Sequence, residues 1–142
     1  SPCGESNTEA SIDQGLTSDM EDVEEAMEDR SDDVWNGNTN IDAGIRLAHT
    51  LLIGPSARPS ADKVMIVLTD GVYTGSDPLV DATAAHDDGI VIHTITFSDG
   101  ANQSDMQAVA SAGEGNHYHA PDAASLNTIF EDLAAMVTVL TE

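Results

Sequence analysis

Cysteine is nearly missing from this chain of 142 residues: Cys3 stands alone, so an intrachain disulfide, a thiolate zinc cluster and a Cys-x-x-Cys redox pair are all excluded. Positive charge is almost as scarce. Four Lys and Arg residues face 26 Asp and Glu residues, a formal net charge of −22, which repels phosphate backbones and anionic lipid heads alike. Nucleic-acid binding and attachment to an anionic membrane surface are therefore not expected. No run approaches the ~18 apolar residues of a membrane span, so direct membrane insertion of this segment is not expected either. Ser1 to Thr8 shows neither the charged start nor the apolar core of a secretion signal.

What is present is an acidic coat spread along the whole chain, from Glu5 to Glu142, with Lys63 as the sole lysine. Such a coat needs abundant counterions. Two settings meet that need, a protein kept soluble in high salt and a protein living among plentiful divalent cations. The length suits one domain with a real core and is short for two, and residues 1–142 read as a single domain without internal repeat, low-complexity tract or linker.

Ala10, Ile12 and Leu16 alternate with Ser11, Asp13 and Thr17 in the period of a half-buried strand, which predicts an edge strand over 10–17. Ser18 opens a capping box ending at Glu21, and Met20, Val23 and Met27 recur at helical spacing, predicting a helix over about 19–28. After the Asn36-Gly37-Asn38 turn, Thr39 is placed to cap a helix with the stripe Ile41, Ile45, Ala48 and Leu52, stopped by Gly54-Pro55. Val64 to Leu68 is a continuous apolar, largely β-branched run, the mark of a strand covered on both faces. Asp77-Pro78 starts a helix through Ala85 that closes at Gly89, and a second buried strand follows over Ile90 to Phe97. Ser104 to Gln107 repeats the capping box for a short helix ended by Gly113, then a polar strand spans Asn116 to Ala120. A last helix carries Leu126, Ile129, Leu133, Val137 and Leu140. Strands alternating with helices predict an α/β fold, doubly wound, with a mostly parallel sheet and helices on both faces.

In such a sheet, ligands bind in the crevice outside the C-terminal ends of the strands, formed here by Asp70 to Ser76 and Ser98 to Gln103. Asp70 follows five apolar strand residues, where a carboxylate is held at the crevice and can meet a hard cation such as Mg²⁺. It can equally be a turn residue beside Gly71, and Thr39 can equally be a plain helix cap.

Gly37-Asn38-Thr39-Asn40-Ile41-Asp42-Ala43-Gly44, followed by Lys63 to Leu68 and Thr69-Asp70-Gly71, resembles the von Willebrand factor type A (VWA) domain. The resemblance extends through the strand Ile90 to Phe97, Gly115-Asn116-His117-Tyr118 and the Leu126-x-x-Ile129-Phe130 helix, covering the chain from about Ala10 onward. Among relatives it is most similar to domains of bacterial pilus-assembly proteins of the TadG-like group. The family implies a metal-ion-dependent adhesion site, where a divalent cation is completed by an acidic side chain of a bound protein. Thr39 matches the threonine of the family's second metal loop and Asp70 the aspartate of its third. The first loop, Asp-x-Ser-x-Ser, has no match in the sequence. The resemblance thus implies a domain lacking the first strands of the family fold, whether truncated, supplied by another chain or lost. It also implies a weak cation site, with Mg²⁺ first and Mn²⁺ or Ca²⁺ as alternatives, and an extracytoplasmic or cell-surface setting. The strand ending at Asp70 would then keep an open edge, inviting self-association.

The function expected from residues and resemblance together is a protein-binding, adhesion or assembly module without catalytic activity, its partner presenting an acidic residue. Two alternatives stand beside it, a metal-free structural VWA-like assembly domain and a phosphate-handling α/β enzyme using Asp70. The enzyme reading lacks a Gly-rich phosphate loop, a second strand-end aspartate two residues from Asp70 and a basic residue poised for phosphate. His117 and His119 flank Tyr118 on one face and can bind a transition metal, but no third ligand lies nearby in sequence, so sheet histidines are the simpler reading. His49, His86 and His93 read as a helix, a surface and a strand histidine, Asp99 and Gly100 as a loop turn at the crevice, and Trp35 as an aromatic covering the core edge.

Overall fold

In the computed structural model, residues 10–31 and 39–139 are described, with side chains through 136. Cys3, Trp35, the Asn36-Gly37-Asn38 turn, the Val137 side chain and Leu140 lie outside that description. The elements run α1 (Met20–Ser31), α2 (Ile41–Ile53), β1 (Lys63–Thr69), α3 (Pro78–Asp87), β2 (Ile90–Phe97), α4 (Gln103–Ala112), β3 (Glu114–Ala120) and α5 (Ala123–Val139). Among the described residues the sheet has three strands in the order β1-β2-β3, all parallel. β1 and β2 pair in unbroken register from Lys63 opposite Ile90 to Thr69 opposite Thr96. Between β2 and β3 the register shifts at Ile92 and Thr94, where Gly115 lets the backbones close up.

The alternation of strand side chains sorts the core into two clusters. Met65 of β1 and Ile90 and Ile92 of β2 pack with Ile41 and Ile45 of α2, Ala82 and Ala85 of α3, and Met106 and Val109 of α4. Ile95 and Ala120 point to the other face and meet Leu133 of α5, with Phe97, Tyr118, Leu126 and Ile129 around them. Helices therefore cover both faces, as the apolar runs of β1 and β2 require. β1 is incompletely covered: Ile66 and Leu68, on the α5 side, are 40% and 49% exposed.

The expected strand over 10–17 is not formed. That segment is irregular, and Ile12 and Leu16 lie on the surface. Period-two alternation makes a strand only where a neighbouring edge accepts its N–H and C=O groups, and this segment pairs with none of the three described strands. It is held instead by an ion pair between Asp13 and Arg30 of α1. The helix after it is real but buries no residue, so Met20 and Met27 face outward rather than forming a core stripe.

Three caps also differ from expectation. Thr17 and Asp19 accept the Asp19 and Glu21 amides at the start of α1, a role assigned to Ser18 by the sequence pattern. Asn40, not Thr39, caps α2, accepting the Ala43 amide at 3.3 Å. Asn102 caps α4 in place of Ser104, accepting the Asp105 amide at 3.2 Å. In each case the residue whose side chain reaches a free helical N–H wins over the sequence motif. Asp77 with Pro78 behaves as expected, accepting the Leu79 amide at 3.0 Å.

Candidate functional site

β1 delivers its chain into the crevice at Thr69, which is buried and whose hydroxyl accepts the Gly71 amide at 3.3 Å. That local turn leaves Asp70 exposed at the C-terminal end of the strand. Thr39 reaches the same place from the turn before α2. A Cβ built on Gly71 would stand 3.4 Å from the Thr39 hydroxyl oxygen, so the hydroxyl rests against the residue following Asp70. The Thr74 amide donates to the Thr39 carbonyl at 2.9 Å, and the Thr74 hydroxyl reaches the same oxygen at 3.5 Å. Because Asn40 does the capping, the Thr39 hydroxyl is not committed to the helix.

A third loop closes the group. After β2, Ser98 takes a positive φ of 63°, a backbone conformation that costs a residue with a Cβ and gathers at functional sites. The Asn102 amide then donates to the Gly71 carbonyl at 3.5 Å, and a Cβ at Gly100 would touch the Asp70 carbonyl at 3.5 Å. The Thr39 hydroxyl thus lies against Gly71, the residue after Asp70, at one end of the sheet, with Gly100 against the Asp70 backbone carbonyl.

Three residues of this neighbourhood escaped the sequence pattern. Asp42, in the first turn of α2, is buried. One of its carboxylate oxygens faces Arg46 at 3.6 Å, and Arg46 also holds Asp81 of α3 at 3.1 Å. The other oxygen, Oδ1, has no hydrogen-bond partner among the described residues. Thr74 and Gly75 complete the set, since a Cβ at Gly75 would stand 2.5 Å from Asp42 Oδ1 and 2.7 Å from Asn40 Oδ1. The only signal in the sequence was the acid three residues after Thr39, which the chemistry of a helix first turn explains without a site. Tyr73 lies in the same loop. Partial burial, with Asp105 and Asp77 adding to it, raises its pKa above the ordinary phenol value, so it stays a neutral hydroxyl at physiological pH.

Chemically the edge offers a hydroxyl and a carboxylate oxygen, the ligand type of a hard divalent cation, which ordinarily keeps several waters. Among the described residues no group of three or more His, Cys, Asp and Glu side chains is arranged to hold a metal. The donor set is therefore small but of the right chemistry.

The histidines are occupied elsewhere. Thr94 donates its hydroxyl to the Met106 carbonyl at 2.9 Å, so it must accept from His117 Nδ1, also at 2.9 Å. His117 is thereby fixed with its proton on Nδ1, and its Nε2 is buried without a partner. Thr96 binds His119 Nδ1 at 3.0 Å one rung further along. His93 Nδ1 accepts the Asn116 amide at 3.0 Å. His49 pairs with Asp88 and His86 lies near Glu114. No third ligand joins His117 and His119 among the described residues.

A family model for the von Willebrand factor type A domain matches residues 4–132. No curated protein sequence matches the chain significantly. Among solved structures, the second crystal form of proximal thread matrix protein 1 from the mussel byssus is similar at a TM-score of 0.68 and 27% identity, covering 87% of this chain and 31% of that one. A structure of the same mussel protein with a zinc-occupied MIDAS motif gives a TM-score of 0.68 and 26% identity over the same shares of the two chains, 87% and 31%. The protein BatB from Bacteroides thetaiotaomicron gives a TM-score of 0.69 at 19% identity, covering 86% of this chain and 71% of that one, which shows the fold alone. The chain spans about a third of the mussel protein chains it matches.

Proposed function

This chain belongs to the von Willebrand factor type A family, and from that premise we propose that it is a protein-binding module in which Thr39 and Asp70 hold a divalent cation for an acidic side chain of the partner. The observation that supports the reading is the placement of the Thr39 hydroxyl. Freed from capping by Asn40, it rests against Gly71 beside the exposed Asp70. A bound cation supplies local positive charge. Without it, a surface of formal charge −22 repels an acidic partner. Asp70 contributes the anionic ligand and Thr39 a neutral one, while the Thr74 amide bond to the Thr39 carbonyl ties their two loops together and the Asn102 amide bond to the Gly71 carbonyl adds the loop after β2.

Mg²⁺ fits these oxygens best, with Mn²⁺ and Ca²⁺ next. Zinc joins the list because the similar mussel protein carries it at its MIDAS motif. An adhesion or pilus-type assembly role at the cell surface agrees with the family. Among the described residues no helix is long and apolar enough to cross a membrane. VWA domains are in general interaction modules rather than enzymes.

Titration calorimetry with Mg²⁺, Mn²⁺ and Zn²⁺ tests the proposal. Saturable binding should be lost in Asp70→Ala and weakened in Thr39→Val, with circular dichroism showing both variants folded. Binding that survives both substitutions places the cation elsewhere. The small donor set supports a second reading, an assembly domain that works without metal. Under that reading partner binding persists in chelator and in Asp70→Ala. Phosphatase turnover abolished by Asp70→Ala would instead favour an enzyme.

A further inference from the structure

Two of the chain's four basic residues, Arg58 and Lys63, line one cavity of about 490 Å³ at the foot of β1, the end of the strand away from Asp70. Arg30 is paired with Asp13, and Arg46 with Asp42 and Asp81. Arg58 and Lys63 make no ion pair among the described residues. The two Arg and Lys residues that lack an ion pair among the described residues thus share this one wall. Among the described residues the Lys63 ammonium reaches only the Ala61 carbonyl, at 3.4 Å, and Asp62 is the one acid lining the cavity with the two bases. Leu16, Leu52 and Val64 supply apolar wall.

We infer that this cavity binds a monocarboxylate with a short aliphatic body, its carboxylate between Arg58 and Lys63 and its carbon chain against Leu16, Leu52 and Val64. The guanidinium fork matches a carboxylate with two parallel hydrogen bonds, and the ammonium adds a compact second charge. The volume falls within the ~300–1,000 Å³ usual for small-ligand sites. The apolar wall selects a ligand with a carbon body, which inorganic phosphate lacks, and Asp62 on the same wall opposes a second negative charge. At physiological salt, charges beyond roughly 8 Å are largely screened, so the local pair of bases prevails for a single carboxylate. Each methylene laid on the apolar wall adds roughly fourfold in affinity. This site is independent of Thr39 and Asp70, which lie at the other end of β1.

The test is a titration of the ¹⁵N-labelled chain with hexanoate, hexanamide and inorganic phosphate, followed by amide chemical shifts. Hexanoate should give saturable shifts at the cavity residues, with hexanamide and phosphate roughly tenfold weaker or more. Arg58→Gln and Lys63→Gln, each shown folded by circular dichroism, should weaken hexanoate by roughly tenfold, and Asp70→Ala should leave it unchanged. N-acetyl-leucine binding more tightly than hexanoate assigns the site to the carboxyl end of a peptide, and the reverse order assigns it to a free aliphatic acid. Equal binding of hexanamide and hexanoate, preference for phosphate, wild-type affinity in both glutamine variants, or no saturable shift would each overturn the inference.

Discussion

The Thr74 amide donates to the Thr39 carbonyl at 2.9 Å, and this bond ties the turn before α2 to the loop after β1 across 35 residues of chain. Thr39 is thereby held by its backbone while its hydroxyl stays uncommitted to the helix. The loop carrying Asp70 cannot shift without breaking that bond or the one from the Asn102 amide to the Gly71 carbonyl.

Gly75 sits where this loop crosses Asp42 and Asn40. An added methyl group would lie 2.5 Å and 2.7 Å from their side-chain oxygens. Neither oxygen is free to retreat, because Asn40 caps α2 and Asp42 is buried. Gly75→Ala should cost about 1–3 kcal/mol in urea unfolding, and should weaken cation binding more than a Gly15→Ala control, where nothing lies within 4 Å.

Gly115 and Gly44 should respond in opposite directions. A Cβ at Gly115 would stand 2.1 Å from the Ile92 carbonyl oxygen, and backbone in a paired strand cannot yield, so Gly115→Ala should cost more than about 3 kcal/mol or prevent folding. Gly44 lies inside α2 with nothing within 4 Å of its Cβ position. Gly44→Ala should stabilise by roughly 0.5–1 kcal/mol, read from the same urea curves.

Stability should fall as pH drops below neutrality, before the carboxylates titrate. Burial lowers the pKa of His93, and burial with the charge of nearby His119 lowers that of His117. Above about pH 6.5 these imidazoles are neutral in both folded and unfolded chains. Below that value the unfolded chain takes up protons that the folded chain resists, so folding free energy is lost with falling pH until the folded pKa is passed. Urea midpoints between pH 7.5 and 5.5 should decline, and His117→Asn should flatten the decline. A flat profile in the wild type would contradict the burial argument.

β1 has an outer edge unpaired among the described strands, with Ile66 and Leu68 exposed beside it. Such an edge is a template for another strand, so the chain should self-associate at micromolar concentration. Sedimentation velocity should show a dimer or larger species that Leu68→Lys returns towards monomer. A folded monomer at every concentration would refute this.

Much of the architecture was legible from residue pattern. The runs Val64 to Leu68 and Ile90 to Phe97 are apolar and largely β-branched, as a covered parallel strand requires, and both strands form, although β1 leaves Ile66 and Leu68 exposed on one face. Proline, glycine and asparagine punctuation located the helices to within a few residues. The 10–17 segment misled because alternation reports a half-buried surface, while a strand also needs a neighbour. The caps misled because several oxygen-bearing side chains sit within a turn of each helix start, and only geometry selects which one reaches the N–H.

For the candidate site, Thr39 and Asp70 were readable as residue types in a recurring order. The placement of the Thr39 hydroxyl against Gly71, the buried Asp42 with its orphan oxygen, and the contact of Gly75 with two acceptors were not. The sequence by itself determined the acid excess, the α/β alternation and the identity of the strand-end aspartate, since charge, period and punctuation are properties of neighbours along the chain. Only the tertiary structure decided which oxygens share the sheet edge and which two bases share a cavity, because those relationships join residues distant in sequence through the register of the strands and the packing of helices across them.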